Sequence, residues 1–213
     1  CRLITLKGPP VSAGGNFFMA TSKVQIANLA LMHVGEKSIT SFTDGSNAAN
    51  TVNQVYDVVR DAVLIDHPWN FAVKRIIPSL DVTTPVFGFL YRFDLPTDYL
   101  RLMEIDGNPE YKVSGLFIEC DSNPIKIKYI AKNDTAIEYD PLFVQALALR
   151  LAATICERLT QSSNLTKELL ESYVKALSAA KSVDAQSDYP DNIEADLWLD
   201  SRLKGTSIGS GDL

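Results

Sequence analysis

The sequence predicts a mainly α-helical protein with an inserted β-rich domain and an extended C-terminal arm. Apolar residues recur at helical spacing in two regions, one on each side of the middle of the chain. Between these regions, prolines separate short runs rich in β-branched and aromatic residues, which favour strands. The last part of the chain is acidic and finishes in a stretch rich in Gly and Ser.

The domain boundaries follow these changes in composition. Residues 1–18 are interpreted as a leader or a non-native extension, because they lack a signal-peptide pattern and Met19 is a natural start. The helical part is expected to be an antiparallel bundle. The bundle is assigned to residues 19–70 and 138–185, the β-rich insert to 71–137, and the acidic arm to 186–213.

Two helices are predicted before the insert. The first is capped by Thr21 or Ser22 and ends at Gly35. The second is capped by Asp44 or Ser46 and ends before the next proline. The apolar faces consist of Val24, Ala27, Leu31 and Val34 in the first helix and Val52, Val55, Val59 and Val63 in the second.

The insert has four good strand candidates. Their spans are Phe71–Ile77, Phe89–Leu95, Leu116–Cys120 and Ile125–Ile130. In the last of them, Ile127 and Tyr129 alternate with Lys126 and Lys128. We therefore expect one face of this strand to be solvated.

Two further helices follow the insert. Asp140 as N-cap and Pro141 at the first helical position begin a helix that continues to about Leu159. Its nearly continuous apolar surface predicts burial on most sides, although its polar and charged residues exclude a membrane span. The fourth helix has an apolar face made of Leu165, Leu169, Tyr173 and Leu177. The two helices are expected to form an antiparallel hairpin.

Composition narrows the possible functions. The 213 residues carry a net charge of -6 without a basic tract, which argues against a protein that wraps nucleic acid through phosphate contacts. The cysteines, Cys1, Cys120 and Cys156, form no C-x-x-C pair, and their odd number favours a reducing compartment such as the cytoplasm. No membrane association is predicted.

Few residues suggest catalysis. His33 and His67 supply too few parts for a metal site or a nucleophilic triad, and both are interpreted as structural, His67 through helix C-capping. Trp69 and Phe71 are expected to be core residues that hold the insert against the helices. We predict no catalytic residue, no metal ion and no cofactor. An enzyme is the alternative, in which carboxylates such as Glu36, Asp44, Glu119 and Asp121 could serve a hydrolase.

The acidic arm contains the predicted binding site. Ile193 and Leu197 share a helical face, with Trp198 and Leu199 beside them, in a segment that follows the last good amphipathic helix. Large apolar side chains of this kind are predicted to anchor a partner protein, and we expect the arm to order on binding. The alternative is an arm that folds back on its own body.

Several segments of the chain form an ordered series. They are Ile26-Ala27-Asn28-Leu29-Ala30-Leu31 with Val34-Gly35, Ile39-Thr40-Ser41-Phe42, Tyr56, Arg60-Asp61, His67-Pro68-Trp69-Asn70-Phe71-Ala72, Tyr91-Arg92-Phe93-Asp94-Leu95-Pro96-Thr97-Asp98-Tyr99-Leu100-Arg101, and Lys128-Tyr129-Ile130. Their order and spacing resemble the head-to-tail adaptor proteins of short-tailed phages, the family that includes tail tubular protein A. The resemblance covers most of residues 19–185.

The resemblance implies a structural virion protein that is not an enzyme. It implies a homo-oligomeric ring, in the family typically of twelve copies, between the portal protein and a downstream tail or nozzle protein. DNA would pass through the lumen without specific binding. The four apolar residues of the arm would bind the portal. The protein would be made in the host cytoplasm and end in the tail or neck of the virion.

Two alternatives stay open in this setting, a tail-associated peptidoglycan hydrolase and a cytoplasmic interaction protein of a prophage. For the adaptor, we expect a body without a strongly apolar exposed stripe. The purified protein is therefore predicted to be monomeric and to form rings only on the portal.

Overall fold

The computed structural model describes residues 22–187. Of these residues, about 47% are helical and 18% lie in strands. The predicted combination of helices with strands between them is confirmed. The class is nevertheless mixed α and β rather than mainly α, because the strands form two complete small sheets.

Four α-helices lie within the described range. They are α1 (Lys23–Val34), α2 (Asn47–Ile65), α3 (Pro141–Thr160) and α4 (Ser163–Ser187), with a short 3-10 helix at Ala136–Glu138 before α3. The third helix packs against each of the other three, and most of its residues are buried. Its predicted burial on most sides is therefore confirmed.

The helix ends match predicted caps. Ser22 and Gln25 form a capping box at α1, in which Ser22 Oγ accepts from the Gln25 N–H at 3.1 Å and the Gln25 side chain accepts from the Ser22 N–H at 2.8 Å. Ser46 caps α2 and Asp140 caps α3. Gly35 ends α1 in the left-handed region, with φ of 79°, where a side chain would be strained.

The helices α3 and α4 form a helical hairpin. Only two residues connect them, and they pack together extensively. The Arg150 guanidinium lies 5.3 Å from the centre of the Tyr173 ring, and these two residues are similarly far from the connection. The helices are therefore antiparallel, as predicted.

Six strands lie between α2 and α3 and form two antiparallel sheets. They are β1 (Val73–Ile76), β2 (Tyr91–Asp94), β3 (Tyr99–Ile105), β4 (Tyr111–Ser114), β5 (Phe117–Cys120) and β6 (Ile127–Ala131). The first sheet has the strand order β1-β6-β3, and the second has the order β2-β5-β4. The predicted strands overlap β1, β2, β5 and β6, whereas β3 and β4 were not expected.

The first sheet lies between the helices and the second sheet. On β6, Ile127 and Tyr129 belong to a core shared with the second sheet, whereas Ile130 packs in the helical core. The expectation of a solvated face on this strand is therefore wrong. The helices cover Ile130, and Lys128 on the same face is only partly exposed.

Trp69 joins the helices to the first sheet. Its side chain is 1% exposed, and its indole N–H donates to the Val63 carbonyl at 3.0 Å. The rings of Trp69 and Phe71 each lie 5.0 Å from the Phe143 ring. The predicted core role of Trp69 is confirmed, and Phe71 packs against the same core.

Candidate functional site

The predicted portal anchors Ile193, Leu197, Trp198 and Leu199 lie outside the described residues. The structure does establish where the chain leads into that segment, because the last turns of α4 have defined contacts. Asp184 Oδ2 lies 3.1 Å from His67 Nε2, and Asp184 Oδ1 accepts the Asn70 N–H at 3.3 Å. The Asn70 side-chain amide also donates to the Asp184 carbonyl at 3.0 Å. The arm therefore leaves from beside the loop between α2 and β1.

The contact of His67 with Asp184 corrects one detail of the sequence interpretation. His67 is structural, as expected, but it bonds to the end of α4 instead of capping α2. A second bond supports the same junction, since the Tyr173 hydroxyl donates to Asp66 Oδ2 at 2.6 Å. Burial raises the pKa of Tyr173, and its bond with the Asp66 carboxylate raises this pKa further.

Arg60 is a fully buried cation held by carboxylates. Its guanidinium bonds Asp57 at 2.8 Å, Asp61 at 2.7 Å, and Asp134. Burial alone would lower the pKa of Arg60, but the hydrogen bond and charge of Asp61, with the other carboxylates, raise it above its ordinary value. Asp61 also lies 3.6 Å from Lys132 Nζ. This network connects α2 to the chain after β6, which indicates a structural role.

Asp98 forms a smaller polar junction at the first sheet. Its carboxylate bonds Lys74 Nζ at 2.6 Å and accepts from the Tyr129 hydroxyl at 3.0 Å. Burial alone would raise the pKa of Asp98, but these two bonds hold it below its ordinary value. Burial raises the pKa of Tyr129 to about 12, with a further contribution from the bond to Asp98.

The loop between β1 and β2 presents large apolar side chains to solvent. The exposed fraction is 99% for Val82, 97% for Val86, 86% for Phe87 and 65% for Leu90. Residues 82–90, here called the apolar loop, contain no charged residue. A clustered apolar surface of this kind marks an interaction site. The expectation of a body without a strongly apolar exposed stripe is therefore wrong.

A groove lies between α1 and the beginning of α3. Its volume is about 740 Å³, and its apolar lining consists of Leu29, Met32 and Val144. Met32 is 64% exposed, whereas Val144 is 8% exposed and forms the floor. This α1–α3 groove was not foreseen, because the sequence patterns assign only the opposite, buried face of α1.

The carboxylates considered for a hydrolase lie on several elements. Glu36 follows α1, and Glu119 is on β5. Asp44 accepts the Thr40 N–H at 3.1 Å, so it stabilises the loop before α2 and does not cap the helix. Asp121 accepts the N–H of Leu90 at 2.9 Å. The bonds of these two aspartates are those of residues that shape loops.

The two cysteines in the described range, Cys120 and Cys156, are buried, as expected for core residues. Burial raises the pKa of the Cys120 thiol. Within residues 22–187, no group of three or more His, Cys, Asp or Glu side chains could hold a metal ion. None of the helices in that range has the length and apolar character needed to cross a membrane.

Comparison with known proteins identifies no relative: no family model matches the chain, and no curated protein gives a significant match.

Proposed function

We propose that this chain is a structural virion protein, an adaptor ring subunit that joins the portal of a tailed phage to its tail. The observation that carries the proposal is the pair of apolar surfaces, the apolar loop and the α1–α3 groove. Exposed apolar surfaces of this kind suit a protein that acts by binding other proteins. The resemblance to head-to-tail adaptor proteins supplies the identity of the assembly.

The positions of the resembling segments support a common fold. They come from distant parts of the chain, yet Trp69 packs between α2 and α3, and Asp98 bonds Lys74 and Tyr129. Residues that hold helices and sheet together are those that a shared fold would preserve. The proposed architecture is therefore the one expected for the family, an antiparallel helical bundle with an inserted β domain.

In the proposed assembly, subunits associate side by side into a ring, with twelve copies as in the family. One face binds the portal through Ile193, Leu197, Trp198 and Leu199, and the other receives a tail or nozzle protein. The lumen passes DNA during genome packaging and ejection without binding it specifically. The net charge of -6 suits this role, since a basic lumen would bind phosphates and slow DNA transit.

The proposal is tested with purified phage particles. The 23.4 kDa chain is expected in the particles, and the isolated neck complex is expected to have a mass that corresponds to a closed ring of this subunit. A zymogram of the purified chain on peptidoglycan is expected to show no clearing. Clearing by the pure protein would instead support the tail-associated hydrolase, and absence from the particles would contradict the adaptor.

A further inference from the structure

We propose that the apolar loop of one copy inserts into the α1–α3 groove of a neighbouring copy. This inference rests on the proposed function and deepens it, because it names the two surfaces that join one subunit to the next. The occupant of the groove is therefore a second copy of this chain.

The shapes of the two surfaces are complementary. The loop is convex, since Val86 and Phe87 are 97% and 86% exposed. The groove is concave, and its volume of about 740 Å³ lies in the range of cavities that enclose a ligand of several side chains' size. Val144 at its floor and Met32 at its side supply an apolar lining for the Phe87 ring.

The charges of the two surfaces are also compatible. The apolar loop carries no charged residue over its whole length. Glu36 is the one charged side chain that lines the groove, and it is exposed at the edge. Insertion of the loop would therefore remove apolar surface from water without burying an unpaired charge, which would be the main opposing cost.

The loop does not fill the groove of its own chain. Val82, Val86 and Phe87 are almost fully exposed, so they touch little of the described part of their own molecule. A contact between two different surfaces is heterologous, and each copy then offers a free loop and a free groove to the next. Such contacts close into a ring when the rotation between copies allows it, whereas a contact of loop with loop would give only a dimer.

Site-specific cross-linking tests this contact in the full-length chain. In a Cys1→Ser background the two remaining cysteines, Cys120 and Cys156, are buried. Phe87→Cys and Met32→Cys proteins are mixed at about 100 µM each, a concentration that populates weak contacts, and treated with a short bis-maleimide. We expect a covalent dimer of Phe87→Cys with Met32→Cys.

Val174→Cys provides the matched control. Val174 is 62% exposed and lies on α4, whereas Met32 is 64% exposed on α1, so the two thiols should be similarly accessible. The yield of the 87–32 product should exceed that of the 87–174 product by about fivefold or more. Urea unfolding of each variant verifies that the substitution leaves the fold intact.

Three results would overturn the inference. They are equal yields of the 87–32 and 87–174 products, a dominant 87–87 product, and flotation of the parent with lipid vesicles that Phe87→Asp abolishes. Failure of the 87–32 cross-link in a protein that is present in virions would reject this contact alone. A strong 87–32 cross-link in a protein absent from virions would reject the adaptor function alone.

Discussion

At the scale of single residues, Trp69 is the strongest test of the core. Trp69→Ala should lower the free energy of unfolding by about 3–5 kcal/mol, because it removes a buried ring that packs between helices and sheet. Trp69→Phe retains most of the packing but loses the hydrogen bond to Val63, and its smaller cost should be about 1–2 kcal/mol. Urea denaturation measures both. A Trp69→Ala protein that is as stable as the parent but fails to assemble would make Trp69 an interface residue.

The buried charge of Arg60 leads to a second prediction. Arg60→Leu should destabilise the protein by about 3–5 kcal/mol, because it leaves the carboxylates of Asp57, Asp61 and Asp134 without their shared partner. Lys126→Leu is the matched control, since Lys126 pairs with Asp106 in solvent and should contribute less than about 1 kcal/mol. Similar effects of the two substitutions on urea unfolding would contradict the structural role of Arg60.

The lowered pKa of Asp98 predicts how its contribution depends on pH. The folded-state pKa lies below the unfolded value of about 3.9, so the carboxylate stabilises the fold at neutral pH. This stabilisation is lost as the pH falls through the folded-state pKa. The difference in unfolding free energy between the parent and Asp98→Asn should therefore be constant above about pH 5 and decrease below about pH 4. A difference that is independent of pH down to about pH 3 would refute this explanation.

At the scale of elements, the helices could be predicted because their signals are local. The Ser22 cap, the Gly35 terminus and the Asp140-Pro141 start are all readable within a few residues of the helix ends. Their apolar faces recur at the spacing that burial requires. The contacts between helices, such as that of α3 with the other three, depend on the whole fold and could not be read in this way.

Strand β3 could not be predicted, because its apolar residues do not alternate. Tyr99, Leu102 and Ile105 face the core shared by the sheets, whereas Leu100 and Met103 face the helices. Irregularities in its pairing with β6 fall between Tyr99 and Arg101 and between Leu102 and Glu104. Each such bulge adds a residue and changes the face that follows, so a period of two is lost.

The apolar loop shows the opposite limit of sequence reading. Its valines and phenylalanines have the composition of a strand, and the prediction accordingly began a strand at Phe89, two residues before β2 begins. Only the tertiary structure reveals that Val82, Val86 and Phe87 pack against nothing in the described part of the chain. Composition indicates that a side chain is apolar, but not whether another element covers it.

The arm supplies the prediction for an element that binds a partner. Truncation after Ser187 keeps the bonds of Asp184 with His67 and Asn70, so the free energy of unfolding should stay nearly unchanged. The truncated protein should no longer attach to portal-bearing heads. Trp198→Ala should weaken attachment by about 2 kcal/mol or more, as expected for an aromatic anchor.

Co-sedimentation with heads and urea denaturation distinguish the possible results for the arm. Val58→Ala, a substitution at a side chain that is 71% exposed on α2, is the control and should attach like the parent. Normal docking of the truncated protein would remove the arm from the portal contact. Unfolding of the truncated protein would show that the arm belongs to the core.

At the scale of the whole molecule, the structure separates a body held by paired charges from surfaces that remain uncovered. Buried Arg60 and partly buried Asp98 hold elements together, whereas the apolar loop and the groove await a partner. A single loop offers little area, so the isolated chain is still predicted to be largely monomeric at micromolar concentration. A portal that holds many copies side by side would raise their effective concentration and favour the closed ring.

The most direct test of the adaptor function is stoichiometric binding of the purified chain to tail-less heads that carry the portal. We expect the bound amount to saturate at the number of copies in one closed ring per head, twelve by analogy with the family. Heads without the portal should bind none. Equal binding to heads with and without the portal, or no binding to either, would contradict the proposal that this chain connects head to tail.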